Sequence, residues 1–416
     1  MSFTSPLPKT TLVYKTTKEG LDIHIDVWAP KSASPIGGDK RPAFVFFHGG
    51  GLAVGARDVW IPEWLFTRLT NKGYLFISAD YRLIPPCTGY DIRDDVKDLW
   101  AYITNPSPKL SFPEGDETTK ELQIDADAIA VGGSSAGGYC AYLAAMHCKS
   151  PKPKALVEIY GLGGQIFVRL SHLNLLIILS AKSLNQHPEL VLPQPQNHCI
   201  RNPIPRMDRP LLPPIHRLPA PLPHPTPTLS HSHPTYAGPD HPLGPTYPSN
   251  PRMQLVWLYL QQATLLDYIT GSHSPSFSAQ MRAAVGLPAS AGTAASETVV
   301  ASPSAQDAVV KAVESGFAGA DAKAHFRELF PQFNVTKGEW PPTVFLHGKE
   351  DTGLPVADSE HMFRLLKAKD VPREMYRVEG EEHSFDYKEG VEDVWGPVFD
   401  AVVKFVDNHT LPEAKA

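Results

Sequence analysis

The chain has 416 residues, 42% of them hydrophobic, enough for one large core or two modest ones and with no fibrous or collagen-like bias. Lys plus Arg number 38 against 44 for Asp plus Glu, a formal charge of −6, and the absence of clustered basic residues argues against a nucleic-acid partner. Cys87, Cys140, Cys148 and Cys199 have no metal-knuckle or disulfide-framework spacing and read as reduced, buried thiols. Met1 to Thr17 lacks the basic start and apolar run of a secretory signal, and no apolar stretch approaches the roughly 20 residues of a membrane span. The expectation is a cytoplasmic protein with no integral membrane segment.

In chain order, Thr11 to Thr16, Leu21 to Trp28, Ala43 to Phe47, Tyr74 to Ala79, Ala128 to Gly132 and Ala155 to Tyr160 read as strands. Their continuous apolar runs suit strands covered on both faces. Val59 to Asn71, Ile92 to Ile103 and Ala136 to His147 carry apolar residues at helical spacing. The alternation predicts an α/β fold with a mostly parallel central sheet flanked by helices. It resumes near the C-terminus, with strands at Thr343 to Leu346 and Glu374 to Val378 and helices at Ser359 to Ala368 and Val394 to Asn408.

The core is therefore expected from residues 1–165 and 335–416, with 166–334 inserted as a cap. Within the cap, Met253 to Thr270, Asp307 to Phe317 and Ala322 to Leu329 read as helices. The stretch from His187 to Pro251 is different: it holds 19 of the 42 prolines and 7 of the 17 histidines. Prolines that dense remove backbone donors and resist helix and interior strand, so about 187–250 is expected to be irregular. Its histidines are irregularly spaced on chain with no rigid frame, and no metal site is expected from them.

Two glycine-rich motifs carry the chemistry. Gly133-Ser134-Ser135-Ala136-Gly137 fits G-x-S-x-G directly after a predicted strand and before a predicted helix, the context of a nucleophile elbow. Gly133 and Gly137 leave room for a tight turn that exposes the Ser135 hydroxyl, and the helix from Ala136 directs its positive end at the reacting centre. The pentapeptide alone arises in roughly one random chain in seven, so its flanks matter more than its letters. His48-Gly49-Gly50-Gly51, at the end of the strand Ala43 to Phe47, is far more specific. Glycines there let backbone N–H groups face a developing oxyanion, each such donor being worth roughly 3 kcal/mol. A phosphate loop would need a Lys-Ser or Lys-Thr ending that this one lacks. His48 reads as a brace of the loop.

A nucleophilic serine on such a turn needs a base and an orienting acid, which follow it in the order acid, then histidine. Asp351 lies just beyond the strand Thr343 to Leu346, and His383 just beyond Glu374 to Val378. Loops at strand ends are where an α/β sheet presents its chemistry. His347 is the rival base, but it precedes the acid and is better placed to pack the end of its strand. Glu350 is the alternative to Asp351 as acid.

With His48 to Gly51, Asp80-Tyr81-Arg82-Leu83-Ile84-Pro85, the Ser135 elbow and the Asp351 and His383 loops in order, the chain resembles the hormone-sensitive-lipase-like branch of the α/β-hydrolase superfamily, fungal members above all. The resemblance covers about residues 20–165 and 250–410. It implies the α/β-hydrolase fold with a helical cap, a serine esterase acting on small-molecule esters without cofactor or metal, and an oxyanion hole built from the N–H groups of Gly50, Gly51 and Ala136. Asp80 then carries a structural role. The same resemblance leaves open a non-catalytic small-molecule receptor, as in the plant gibberellin receptors, and a hydrolase of lactones, amides or polyketide intermediates using the same serine. From Phe167 to about Leu229 the resemblance fails, which fits either a genuine insertion or translated non-coding sequence.

Overall fold

The computed structural model describes residues 3–113, 119–164, 252, 255–256, 264–284, 326–335 and 339–411. The proline-rich run, Cys199, the helix expected at Asp307 to Phe317 and most of the other cap calls lie outside them.

Nine strands form one sheet: β1 Lys9–Thr16, β2 Asp22–Trp28, β3 Lys40–Phe47, β4 Leu75–Ala79, β5 Lys109–Pro113, β6 Thr119–Ser134, β7 Leu156–Ile159, β8 Thr343–Gly348 and β9 Arg373–Val378. Their order is β1-β2-β4-β3-β6-β7-β8-β9, with β5 paired to the first half of β6. From β4 through β9 every neighbour on this path is parallel, while β1 and β2 run antiparallel at one edge. β7 and β8 are adjacent although the whole 160–342 stretch separates them in sequence, so the two halves of the core close on each other.

The helices are α1 Glu63–Asn71, α2 Gly89–Thr104, α3 Ala136–His147, α4 Leu265–Thr270, α5 Phe277–Ala284, α6 Ala357–Ala368 and α7 Val391–Thr410. Period-2 alternation divides the sheet between two cores. Val45, Phe47, Ile77 and Val131 pack with Tyr139 and Leu143 of α3 and with Val96 and Leu99 of α2. Phe44, Phe46, Phe76 and Val157 face the other way, against Trp64 and Leu65 of α1 and Phe399 and Val403 of α7. Truncating one of these buried aromatics to Ala would cost about 3–5 kcal/mol.

The expected strands are all present, and the largest differences in where elements begin are at β6 and α1. β6 begins nine residues ahead of Ala128 because its first half pairs antiparallel with β5, Leu110 opposite Leu122. Helix α1 begins at Glu63 instead of Val59, since Trp60 takes a left-handed φ of 51° and Pro62 supplies the N-cap. Of Met253 to Thr270, a described helix occupies Leu265–Thr270. No helix among the described residues is long and apolar enough to cross a membrane.

Candidate active site

Three loops at the carboxyl ends of β6, β8 and β9 bring distant residues together. At the end of β6, Ser135 stands at φ 53° and ψ −120°, a strained conformation for a residue with a side chain. The crowding that forces it is measurable: a Cβ on Gly133 would fall 2.2 Å from Gly137 C, and one on Gly137 2.0 Å from Phe47 O. Both positions therefore admit only glycine. The Ser135 amide donates to Ile159 O at 3.0 Å, and its carbonyl accepts from Gly138 and Leu162 at 3.0 and 2.8 Å, so the strained turn is held from both sides. Ala136 is the first residue of α3, where a backbone N–H has no partner within its own helix.

His383 Nε2 lies 3.0 Å from Ser135 Oγ, and His383 Nδ1 lies 2.7 Å from Asp351 Oδ2. The imidazole thus joins a serine and a carboxylate that are 216 residues apart in the chain. Asp351 is buried, whereas Glu350 is exposed, and this difference separates the two candidate acids. Leu354 N–H donates to Asp351 Oδ1 at 2.7 Å. Burial works against the Asp351 charge, but His383 and His347 outweigh it and hold the carboxyl well below the usual range. Glu382 fastens the acid loop to the histidine loop by accepting from Thr352 N and Oγ1 at 3.0 and 2.8 Å.

His347 is fully buried, with Nδ1 2.8 Å from Ser359 Oγ and Nε2 2.6 Å from Leu354 O and 3.2 Å from Asp351 Oδ2. Nε2 thus holds the loop that carries Asp351 while Nδ1 ties the ring to α6, a closer involvement with Asp351 than packing the end of a strand. His48 is likewise buried: Nδ1 bonds Gly49 O at 2.7 Å and the ring stacks on Tyr81 at 4.3 Å. Burial lowers its pKa to about 4, which keeps it neutral as a brace.

The loop after β3 touches the elbow, since a Cβ on Gly49 would sit 3.2 Å from Ser134 O and 3.4 Å from Ser135 Cβ. Gly50 and Gly51 have φ of 106° and 62°. Asp80 anchors this loop from β4: it accepts from Arg57 N at 2.8 Å and Nη1 at 2.6 Å, while Asp26 takes Arg57 Nε at 3.0 Å. Leu52, Trp60, Ser135, Tyr160 and Ser384 all have positive φ and all lie in the loops around Ser135 and His383. Strained backbone is thereby concentrated where side chains must be presented.

Sequence reasoning missed Gly55, whose Cβ would collide with His48 Nδ1 at 2.3 Å, and the buried Glu158 and Asp386. Gly55 has a signal in hindsight, a further glycine soon after the loop motif. Isolated acids inside otherwise apolar or aromatic runs, as at Glu158 and Asp386, are the only sequence trace of the others.

Residues 44–204 match the family model described as alpha/beta hydrolase fold, which takes in His48 to Gly51 and Ser135. Residues 298–409 match the prolyl oligopeptidase family, which takes in Asp351 and His383. A probable carboxylesterase from Phoma sp. is 32% identical over 136 residues, 32% of this chain and 41% of that protein. A probable carboxylesterase from Cochliobolus lunatus is 34% identical over 101 residues, 23% of this chain and 44% of that one. A non-reducing polyketide synthase from Penicillium rubens is 30% identical over 146 residues, 34% of this chain and 6% of the synthase. The chain thus spans less than half the length of each of these curated relatives.

Proposed function

We propose that this chain, which belongs to the α/β-hydrolase fold family, hydrolyses carboxylic esters through an acyl-enzyme on Ser135. The observation that carries the reading is the unbroken hydrogen-bonded line from Ser135 through His383 to Asp351, 3.0 and 2.7 Å long in its two links. Ser135 Oγ attacks the ester carbonyl while His383 Nε2 takes its proton. Asp351 keeps the proton of the other ring nitrogen in place and stabilises the imidazolium that forms. The tetrahedral oxyanion is received by the N–H groups of Gly50, Gly51 and Ala136, at the positive end of α3. His383 then protonates the departing alcohol, and water activated by the same imidazole releases the acid. No metal or organic cofactor enters these steps.

The two carboxylesterase relatives support a small-molecule ester as substrate. The similarity to polyketide synthases favours a second reading, in which the same serine acts on a polyketide-derived acyl group. A receptor without catalysis is disfavoured by an imidazole already engaged with both serine and acid. The cap, 166–334, would shape the substrate pocket. A cytoplasmic setting suits the buried thiols of Cys87, Cys140 and Cys148.

The test is hydrolysis of p-nitrophenyl acetate and butyrate by the full chain and by Ser135→Ala. The variant should fold normally, since it loses one hydroxyl and no core volume, and should lose turnover. Turnover close to wild type in the variant would show that another residue is the nucleophile.

A further inference from the structure

Behind the His383 imidazole lies a buried polar cluster that the mechanism above does not use. Tyr160, just past β7, sets its ring centroid 4.6 Å from that of His383, the planes inclined at 59°. Its hydroxyl donates to Asp386 Oδ1 at 2.6 Å, and Trp64 of α1 donates Nε1–H to Asp386 Oδ2 at 3.0 Å. Tyr160, Trp64 and Asp386 are all buried. Tyr160 holds this place at the cost of a φ of 37°, its backbone N–H donating a hydrogen bond to Leu346 O at 2.7 Å.

We infer that Tyr160 and Asp386 are positioning residues for His383, with the carboxylate drawing the tyrosine hydroxyl so that the electron-rich ring stabilises the imidazolium formed during acyl transfer. Two side-chain donors at Asp386, Tyr160 Oη–H and Trp64 Nε1–H, suit an ionised carboxylate. A phenol that donates to an anion has a more negative ring, and a cation within about 6 Å of an aromatic centroid is attracted by the ring quadrupole, the more so away from water. Burial raises the Asp386 carboxyl above its ordinary value, against the opposing pull of Tyr160, Trp64 and the nearby His383. The base would thus be served by two carboxylates of different kinds: Asp351 bonded at Nδ1, and Asp386 acting through an aromatic ring.

Among the described residues the groups set around His383 are Asp351 from the loop after β8 and, through it, His347 at the end of β8; Ser135 from the elbow; Tyr160 after β7; and Asp386 from its own turn. Glu382 is turned to Thr352. Replacing Tyr160 by Phe or Asp386 by Asn leaves every other member of this set in place.

The inference rests on the proposed role of His383 as base, so its test includes a readout that needs no turnover. Selective labelling of the histidine rings allows the protonation of His383 to be followed by NMR against pH in the full chain, alongside kcat and KM for p-nitrophenyl acetate. In Tyr160→Phe and in Asp386→Asn, protonation of His383 should shift to lower pH by about half to one unit, the counterpart of a threefold to tenfold loss of imidazolium stability. The acidic limb of the kcat/KM profile should shift with it, kcat should fall by a similar factor with KM nearly unchanged, and the double variant should lose little more than either single one. An unmoved His383 titration in both variants would overturn the inference, even if activity fell along with thermal stability. A shifted titration in a protein whose wild type has no esterase activity would uphold the inference and fail the ester-hydrolase reading instead.

Discussion

Glu158→Gln should remove a pH dependence of stability that is built into the sheet beneath the nucleophile. Glu158 lies on β7 opposite Gly133, fully buried, and neither carboxyl oxygen has a hydrogen-bond partner among the described residues. Its Oε2 occupies the space that side chains at Gly138 and Gly161 would fill, 2.4 and 2.0 Å from their Cβ positions. Burial therefore pushes the carboxyl well above its ordinary 4.5 and keeps it protonated in the folded chain. The unfolded chain gives that proton up above about pH 4.5. The native state then binds one proton more than the unfolded state, so stability falls as pH rises, by about 1.4 kcal/mol per pH unit, until the raised folded value is passed. Glutamine has no proton to lose. Whatever fixed offset its amide introduces, the variant should gain on wild type by that slope, roughly 3–5 °C in Tm per pH unit for a core of this size. Melting or guanidinium midpoints of both proteins at pH 5, 6 and 7 measure it. Parallel curves, with no change in the difference, would refute the claim that a neutral acid is buried there.

Asp351→Asn should cut kcat by about 10⁴ with little change in KM, because the imidazole loses its charged orienting partner, while Glu350→Gln stays near wild type. Steady-state kinetics of the pair decide between the acids, and the opposite ranking would reverse the assignment. Gly137→Ala places a methyl 2.0 Å from Phe47 O and should destabilise the fold by about 1–3 kcal/mol or more, read as a lower denaturation midpoint. Gly55→Ala drives a methyl into His48 Nδ1 and should lower kcat more than it lowers Tm, since the displaced brace belongs to the proposed oxyanion loop.

Much of this architecture was legible because local signals agreed with the global fold. The runs Ala43 to Phe47 and Ala128 to Gly132 are apolar on both faces, as central parallel strands require, and each ends in a glycine motif at the sheet's carboxyl edge. α3 matched its expected span because Gly133 to Gly137 fixes where the turn stops and the helix starts. β5 and the first half of β6 went unread because Lys109 to Pro113 is short and alternates polar with apolar at an edge, a weak pattern without knowledge of its partner. The placement of Asp351 and His383 after their strands made the candidate acid and base legible, but not the residues packed around them. Tyr160, Asp386 and Trp64 meet through contacts between elements far apart in sequence, Trp64 and Asp386 being 322 residues distant, and no local periodicity encodes such a meeting.

The most direct test of the account is to treat the purified full chain with a fluorophosphonate probe and locate the modified residue by mass spectrometry. An activated nucleophile predicts a single adduct on Ser135, abolished in Ser135→Ala and strongly slowed in His383→Ala. Folded protein that takes up no probe, or that is labelled at another residue, would contradict the assignment of Ser135 as the nucleophile.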